Sequence, residues 1–366
     1  MQDAGLPAEP ARPVSVVVVA GTHVRLDRLQ HLLATVGIEV VAAVRSVDEG
    51  VDAIAEHEPD VVLLDLAMTA GGLELVERVM GRCATPIVLT GAAAEGAATA
   101  MAAGAVDLIT PGTEGLGPVV YARALARHLN VASRVRVITH PRGRLRERGL
   151  ATGTAADGSP SPARTSADGR THRPTVVVIG ASTGGPPALA AILAGLPADL
   201  DVPVVIVQHM AEGFVEGLAS WLDGLVARPV SVALNGDRLR SGHVVLAPSD
   251  GNLVVEPGLR LTIEDPRVGQ FHVPEIDRTL QSVAEVCRDR AVGVLLTGMG
   301  RDGAAGMTAL RRAGAFTIGQ DEGTSAVWGM PAAAAALGGL DVELPLPEIA
   351  AAIGDAVRRL HIHEAV

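Results

Sequence analysis

Two stretches of the chain repeat one pattern: a short run of consecutive apolar residues, a polar or glycine-bearing corner, then a longer segment whose apolar residues recur every three or four positions. In the first stretch the runs are Val14 to Val19, Val40 to Val44, Val61 to Leu66, Ile87 to Leu89 and Val106 to Ile109, with helical spacing between them, as over Arg25 to Leu33. Runs that are apolar at nearly every position, interrupted in this stretch by Ser15, Asp65 and Asp107, suit strands covered on both faces, and alternation with helices makes such strands parallel. In the second stretch the runs begin at Thr175 and recur at Val202 to Val207, Val230 to Val232, Val244 to Leu246, Leu253 to Val255, Val292 to Leu296 and Phe316 to Ile318. Helices are predicted over Ala188 to Gly195, Phe214 to Leu225, Ile276 to Cys287, Ala304 to Ala313, Pro331 to Leu337 and Leu346 to Leu360.

The pattern predicts an α/β protein of two units. Residues 13–129 read as a flavodoxin-like doubly wound domain, and residues 174–362 as a second doubly wound parallel sheet. The short runs between Val230 and Val255, set among Asn-Gly and Pro-Ser-Asp-Gly turns, predict a small antiparallel insertion in the second unit. Residues 1–12 are polar and proline-bearing and read as a disordered lead-in. Over residues 130–173 the periodicity gives way to Gly, Ser, Pro, Thr and Arg, the composition of a flexible linker, which predicts few contacts between the two units. Within it Arg142, Arg144, Arg146 and Arg148 read as a solvated charge run or a docking patch for an acidic surface.

Composition sharpens this picture at a few points. A length of 366 residues allows two separate cores, and aromatics at only 2% mean that Val, Leu, Ile and Ala must fill them. A net charge of -11 speaks against a nucleic-acid partner, which would require a basic face. No transmembrane span is evident, and the acidic, proline-bearing start lacks the form of a signal peptide, so a cytoplasmic location is expected. Cys83 and Cys287 fall in different units, which argues against a disulfide framework or thiolate metal site and reads both as buried fillers.

The candidate chemistry lies where strands end. Val176 to Ile179 run into Gly180-Ala181-Ser182-Thr183-Gly184-Gly185 and then Pro186-Pro187, an order of strand, tight turn and helix that leaves Ser182 at a helix N-terminus. The spacing satisfies G-x-S-x-G, the elbow that exposes a nucleophile, and the N-terminal backbone N–H groups would favour a developing oxyanion. Ser182 can equally be read as a turn or cap residue. His209 ends the next strand, and Asp302 stands in a glycine-broken loop after a later one. Each has a structural alternative, His209 as a hydrogen-bonded core residue and Asp302 as a helix N-cap. Together they supply the parts of an acyl-transfer triad at the strand ends where open parallel sheets hold their ligands. Nucleotide binding at Gly180 to Gly185 is disfavoured, because no lysine follows the glycines and G-x-G-x-x-G is absent.

The motifs VVVIGASTGG, VVIVQHM, LLTGMGRDGAAGM and Gly329-Met330-Pro331 resemble the catalytic domain of chemotaxis-type protein-glutamate methylesterases, the CheB family. The resemblance implies Ser182 as nucleophile, His209 as base, Asp302 as its orienting carboxylate and the backbone N–H of Met299 as an oxyanion donor, with no metal or organic cofactor. It implies a protein-glutamate methylesterase, able also to deamidate glutamine, acting on a methyl-accepting chemotaxis receptor or a related methylated protein. Two positions differ from that family's habit: Glu275 stands where Pro-Ser-Val-Asp has serine, and Asn252 where histidine is frequent. Both would border the substrate groove.

The first unit resembles response-regulator receiver domains in PDVVLLDLAM, TPIVLTG and AGAVDLITPG. That resemblance makes Asp65 the phosphoacceptor equivalent, Thr90 the switch hydroxyl and a histidine kinase a partner. It also implies a receiver packed over the catalytic groove. Ala20 and Gly21 replace the acidic pair that would hold Mg²⁺, and Thr110 replaces the lysine. One carboxylate is a poor cage for Mg²⁺, which favours a receiver-shaped docking domain over an active phosphoacceptor. A regulatory docking protein that retains both folds without catalysis is the alternative for the chain as a whole.

Overall fold

The computed structural model describes residues 12–68, 71–83, 85–91, 94–109, 117–133, 175–210, 213–267, 270 and 272–362. The predicted lead-in up to residue 11, the linker from residue 134 with its arginine cluster, and Thr110 lie outside these residues.

The first unit runs β1 (Ser15–Val19), α1 (His23–Ala34), β2 (Glu39–Val44), α2 (Val47–His57), β3 (Val61–Asp65), α3 (Gly72–Arg82), β4 (Ile87–Thr90), α4 (Ala94–Ala102), β5 (Asp107–Leu108) and α5 (Pro118–Ala132). Its strands pair in parallel in the order β2-β1-β3-β4-β5, the flavodoxin-like winding. Successive strand side chains point to opposite faces. Val16, Val18 and Leu63 therefore join the core under α1 and α5, while Val17, Val19 and Leu64 join the core under α2, α3 and α4.

The second unit runs β6 (Val176–Ala181), α6 (Gly185–Gly195), β7 (Val204–Gln208), α7 (Val215–Asp223), β8 (Val230–Val232), β9 (Val244–Leu246), β10 (Asn252–Glu256), β11 (Arg260–Glu264), α8 (Ile276–Cys287), β12 (Ala291–Leu295), α9 (Ala304–Arg312), β13 (Phe316–Gln320), α10 (Met330–Ala336), β14 (Val342–Leu344) and α11 (Leu346–Ile362). Seven of its strands form a parallel sheet in the order β14-β13-β12-β6-β7-β9-β8. The first of these in sequence, β6, lies between β7 and β12. The chain leaves β6 to one side and later returns on the other, so a crevice opens at the carboxyl end of β6.

The antiparallel insertion is present but shifted from its predicted place. Val230–Val232 and Val244–Leu246 are parallel strands of the main sheet, the first at its edge and the second next to it, and the hairpin is β10 paired with β11. The turn residues are real punctuation, but such short apolar runs carry no signal for the direction of their partner. The cysteines differ from each other: Cys287 is buried, its thiol pushed up to about 12 by burial, whereas Cys83 is exposed.

Contacts between the units exceed what the linker composition predicts. Phe214, only 3% exposed, packs into the receiver-side core with Ala97, Ala100 and Met101, and Met210 joins it. Ala326 and Val327 pack against the opposite core of the first unit. The backbone N–H of Gly184 donates to the carbonyl of Val106 at 3.1 Å. The side of the first unit formed by α4, β5 and α5 thus sits over the crevice of the second.

Candidate active site

The corner after β6 is built by backbone bonds. Ser182 N–H donates to the carbonyl of Thr297, just beyond β12, at 3.0 Å, and Gly185 N–H closes the turn on the Ser182 carbonyl at 2.8 Å. Gly184 caps α6 with φ at 77°, a left-handed conformation that glycine adopts without steric cost. Gly298 passes so close that a β-carbon there would lie 2.7 Å from Ser182 Cβ. Ser182 is left half-buried at the start of α6.

His209 follows β7, its N–H donating to the carbonyl of Ala181 at 3.0 Å. Its Nε2 lies 2.7 Å from Asp302 Oδ2. Asp302 is buried and accepts three backbone N–H bonds, from Ile276 at 2.8 Å and from Asp277 and Gly303 at 2.9 Å each. Burial alone would raise its pKa, but the His209 hydrogen bond and charge, with the N–H groups of Asp277 and Ile276, outweigh it and hold the carboxyl below the usual carboxylate range. Asp302 is not the N-cap of α9, a place that Gly303 takes; it ties the start of α8 to the imidazole. Among the described residues no hydrogen bond joins Ser182 Oγ to His209. Such bonds are often long in the free enzyme and tighten when substrate binds.

Met299, the oxyanion donor implied by resemblance, lines the same cleft, and its N–H makes no hydrogen bond among the described residues. The N–H of Thr183 is uncommitted in the same sense, while its carbonyl accepts from Thr297 Oγ1 at 2.9 Å. Thr183 was legible as the residue after the elbow serine, the usual second donor. Gln208 was not anticipated: its buried amide Nε2 donates at 2.9 Å both to the carbonyl of Ser182 and to that of His209, stapling two strand ends together. The ring of His272 is stacked on that of His209.

The two positions that differ from family habit have separate surroundings. Asn252 is buried and does not face the groove; its Oδ1 accepts from Glu275 N–H at 2.9 Å and from Gln270 Nε2 at 2.8 Å. Glu275 is half-buried and lies 3.6 Å from Arg267.

The cleft measures about 370 Å³. Ser182, His209 and Met299 line one wall, and Asp107, Arg127 and His128 of the first unit line the other.

The receiver's acidic corner is already occupied by protein. Asp65 is wholly buried, and Arg25 from α1 places Nε 2.7 Å from Oδ2 and Nη2 3.1 Å from Oδ1, with Ala67 N–H donating to Oδ1 at 3.1 Å. Thr90 Oγ1 lies 2.6 Å from the hydroxyl of Tyr121, which is also buried. Mg²⁺ needs a shell of oxygen ligands. With Ala20 and Gly21 at the end of β1 and a guanidinium across both oxygens of Asp65, these residues do not fit the ion.

Comparison with known proteins gives two family matches along the chain. Residues 16–111 match the family model of the response regulator receiver domain, and residues 177–353 that of the CheB methylesterase. The chain is 40% identical to protein-glutamate methylesterase/protein-glutamine glutaminase 2 of Anaeromyxobacter dehalogenans over 95% of this chain and 98% of that one. It is 42% identical to protein-glutamate methylesterase/protein-glutamine glutaminase 3 of Burkholderia orbicola, over 83% of this chain and 86% of that one. A crystal structure of the Thermotoga maritima CheB methylesterase catalytic domain matches with 34% identity and a TM-score of 0.48, covering 50% of this chain and 98% of that one. The fold and the matched domains define a receiver-linked carboxyl-ester hydrolase. The chain belongs to the protein-glutamate methylesterase/protein-glutamine glutaminase family. No described helix is long and apolar enough to cross a membrane.

Proposed function

We propose that this chain hydrolyses glutamate γ-methyl esters, and deamidates glutamine, on a methyl-accepting chemotaxis receptor or related methylated protein in the cytoplasm, through Ser182, His209 and Asp302. The observation that carries the reading is the meeting of three strand ends, β6, β7 and β12, with His209 hydrogen-bonded to a buried, ionised Asp302 in the cleft that Ser182 lines. With Nε2 engaged by Asp302, the other ring nitrogen, Nδ1, takes the proton as Ser182 Oγ attacks the ester carbonyl. The N–H groups of Met299 and Thr183 receive the oxyanion. His209 returns the proton to the departing methoxide, giving methanol and an acyl-serine. Water, deprotonated by His209, then releases glutamate; from glutamine the first leaving group is ammonia.

The cleft lining bears on control. Asp107, Arg127 and His128 of the first unit wall the cleft opposite Ser182, so a substrate helix about 11 Å across reaches the serine as the receiver moves away. The Arg25–Asp65 pair favours a receiver that docks without accepting phosphate from a histidine kinase. A purely non-catalytic docking role has less support, because it leaves the uncommitted N–H groups and the His209–Asp302 pair without a use. Methanol release from a methylated receptor fragment, abolished by Ser182→Ala, tests the reading; undiminished release by that variant rejects it.

A further inference from the structure

One more ring reaches the imidazole of His209. The rings of His272 and His209 are nearly parallel, 6° between planes and 4.6 Å between centroids. The segment that carries His272 is tied down: Gln270 Nε2 donates to the His272 carbonyl at 2.5 Å and to Asn252 Oδ1 at 2.8 Å, and Asn252 Oδ1 also accepts the N–H of Glu275. The next two N–H groups along, those of Ile276 and Asp277, bind Asp302. A single turn thus fixes both neighbours of His209, the carboxylate at its edge and the ring on its face.

A hydrogen bond to one ring nitrogen leaves the imidazole free to swing about that contact, so Asp302 alone does not set the plane in which the other nitrogen points. A flat partner does, because offset stacking is lost when one ring tilts. We infer that His272 is a positioning residue for ester hydrolysis, its stacked ring holding the His209 imidazole in the plane that aims Nδ1 at Ser182. This rests on the assignment of His209 as the general base. His272 also suits the charge that forms there. Burial pulls its pKa below the ordinary histidine value, His209 and Arg127 push the same way, and Asp302 opposes them. These directions favour an uncharged ring beside His209 as it becomes an imidazolium.

The test is steady-state hydrolysis by the full chain of a peptide carrying a glutamate γ-methyl ester, followed by methanol release. His272→Ala is expected to lower kcat by about 10- to 100-fold with little change in KM, the scale of a misaimed catalytic group. His272→Phe, which keeps a flat ring and removes both nitrogens, is expected to recover kcat to within about threefold of the unmodified protein. Near-UV circular dichroism and thermal unfolding check that each variant is folded; the outer face of His272 is exposed, so truncation opens no core. An unchanged kcat in His272→Ala, or a folded His272→Phe as slow as the alanine variant, overturns the inference. Ser182→Ala runs beside them: if it is inactive, such a result rejects the stacking role alone, and if it is active, the base assignment fails and this inference with it.

Discussion

Arg25 grips both carboxylate oxygens of Asp65, at 2.7 and 3.1 Å, in the place where a phosphoacceptor would meet its metal. The geometry is the bidentate fork in which guanidinium and carboxylate bind best, and it neutralises a wholly buried charge. A carboxylate so held is a poor nucleophile toward a phosphoryl donor.

Acetyl phosphate with Mg²⁺ is therefore expected neither to label Asp65 nor to raise esterase activity. Combining Arg25→Ala with Ala20→Asp, Gly21→Asp and Thr110→Lys is expected to restore labelling, provided Met68, whose Cγ would lie 3.2 Å from a new β-carbon at position 21, gives way. Phosphate incorporation read by mass spectrometry decides it; stoichiometric labelling of the unmodified chain would refute the argument.

The same pair predicts a stability effect. Arg25→Ala leaves Asp65 buried with its remaining backbone donor and should destabilise the first unit by roughly 3 kcal/mol, whereas Arg25→Ala with Asp65→Ala should cost less than the single change, since no buried charge is stranded. Denaturant unfolding of the set of single and double variants measures the coupling.

Ser182→Ala and His209→Ala should each lower turnover by about 10⁴- to 10⁶-fold, with little further loss in the double variant, because the groups work as one unit. Asp302→Asn should cost about 10⁴-fold. Oδ1 and Oδ2 of Asp302 accept two bonds each, from His209 and three N–H groups, so an asparagine must turn its own NH₂ toward two of the donors. Losses that simply add, or a circular dichroism spectrum showing that Asp302→Asn unfolds the domain, would count against the assignment.

Gln208→Glu is expected to be slower than Gln208→Ala. The alanine variant merely releases the carbonyls of Ser182 and His209, about a 10- to 100-fold loss if the two strand ends drift. The glutamate variant aims a carboxylate oxygen at both carbonyls. Comparing kcat for the two at fixed pH distinguishes a staple from a filler.

Asp277 gives a pH signature. Burial raises its pKa above the ordinary carboxyl value, the N–H of Gly306 opposes this and the nearby charge of Asp302 adds to it. A carboxyl with a folded pKa above its unfolded one binds more protons in the native state between the two values, so stability falls as pH rises through the raised pKa. Asp277→Asn should remove that fall: its thermal midpoint relative to the unmodified protein should be higher at pH 7 than at pH 4. Equal differences at both pH values would sink the idea.

Much of this was readable from residues alone, for identifiable reasons. Buried parallel strands write themselves as unbroken Val and Ile runs, and strand ends in such sheets face one crevice, so Ser182, His209 and Asp302 could be gathered although far apart in sequence. Arg25 could not be read. On a helix surface it looks like any solvated arginine, and its partner lies 40 residues away on a different strand end. The stack of His272 on His209 and the double bond of Gln208 are likewise products of which strands adjoin, information that local periodicity does not hold. The short strands at Val230 and Val244 pair otherwise than expected because three-residue runs such as Val-Ser-Val and Val-Val-Leu fit either direction equally well.

The bond from Gly184 N–H to the Val106 carbonyl joins the two units through backbone atoms that every residue except proline possesses. An alanine scan across the boundary will pass over it, because no side chain at position 106 supplies the acceptor and none at position 184 the donor. Substitutions at Val106 that its packing tolerates therefore leave this contact in place. Separating the units requires something else to satisfy that amide, and water entering beside the serine is the simplest replacement. Whatever loosens the receiver consequently also hydrates the corner where the acyl-serine must later be cleaved.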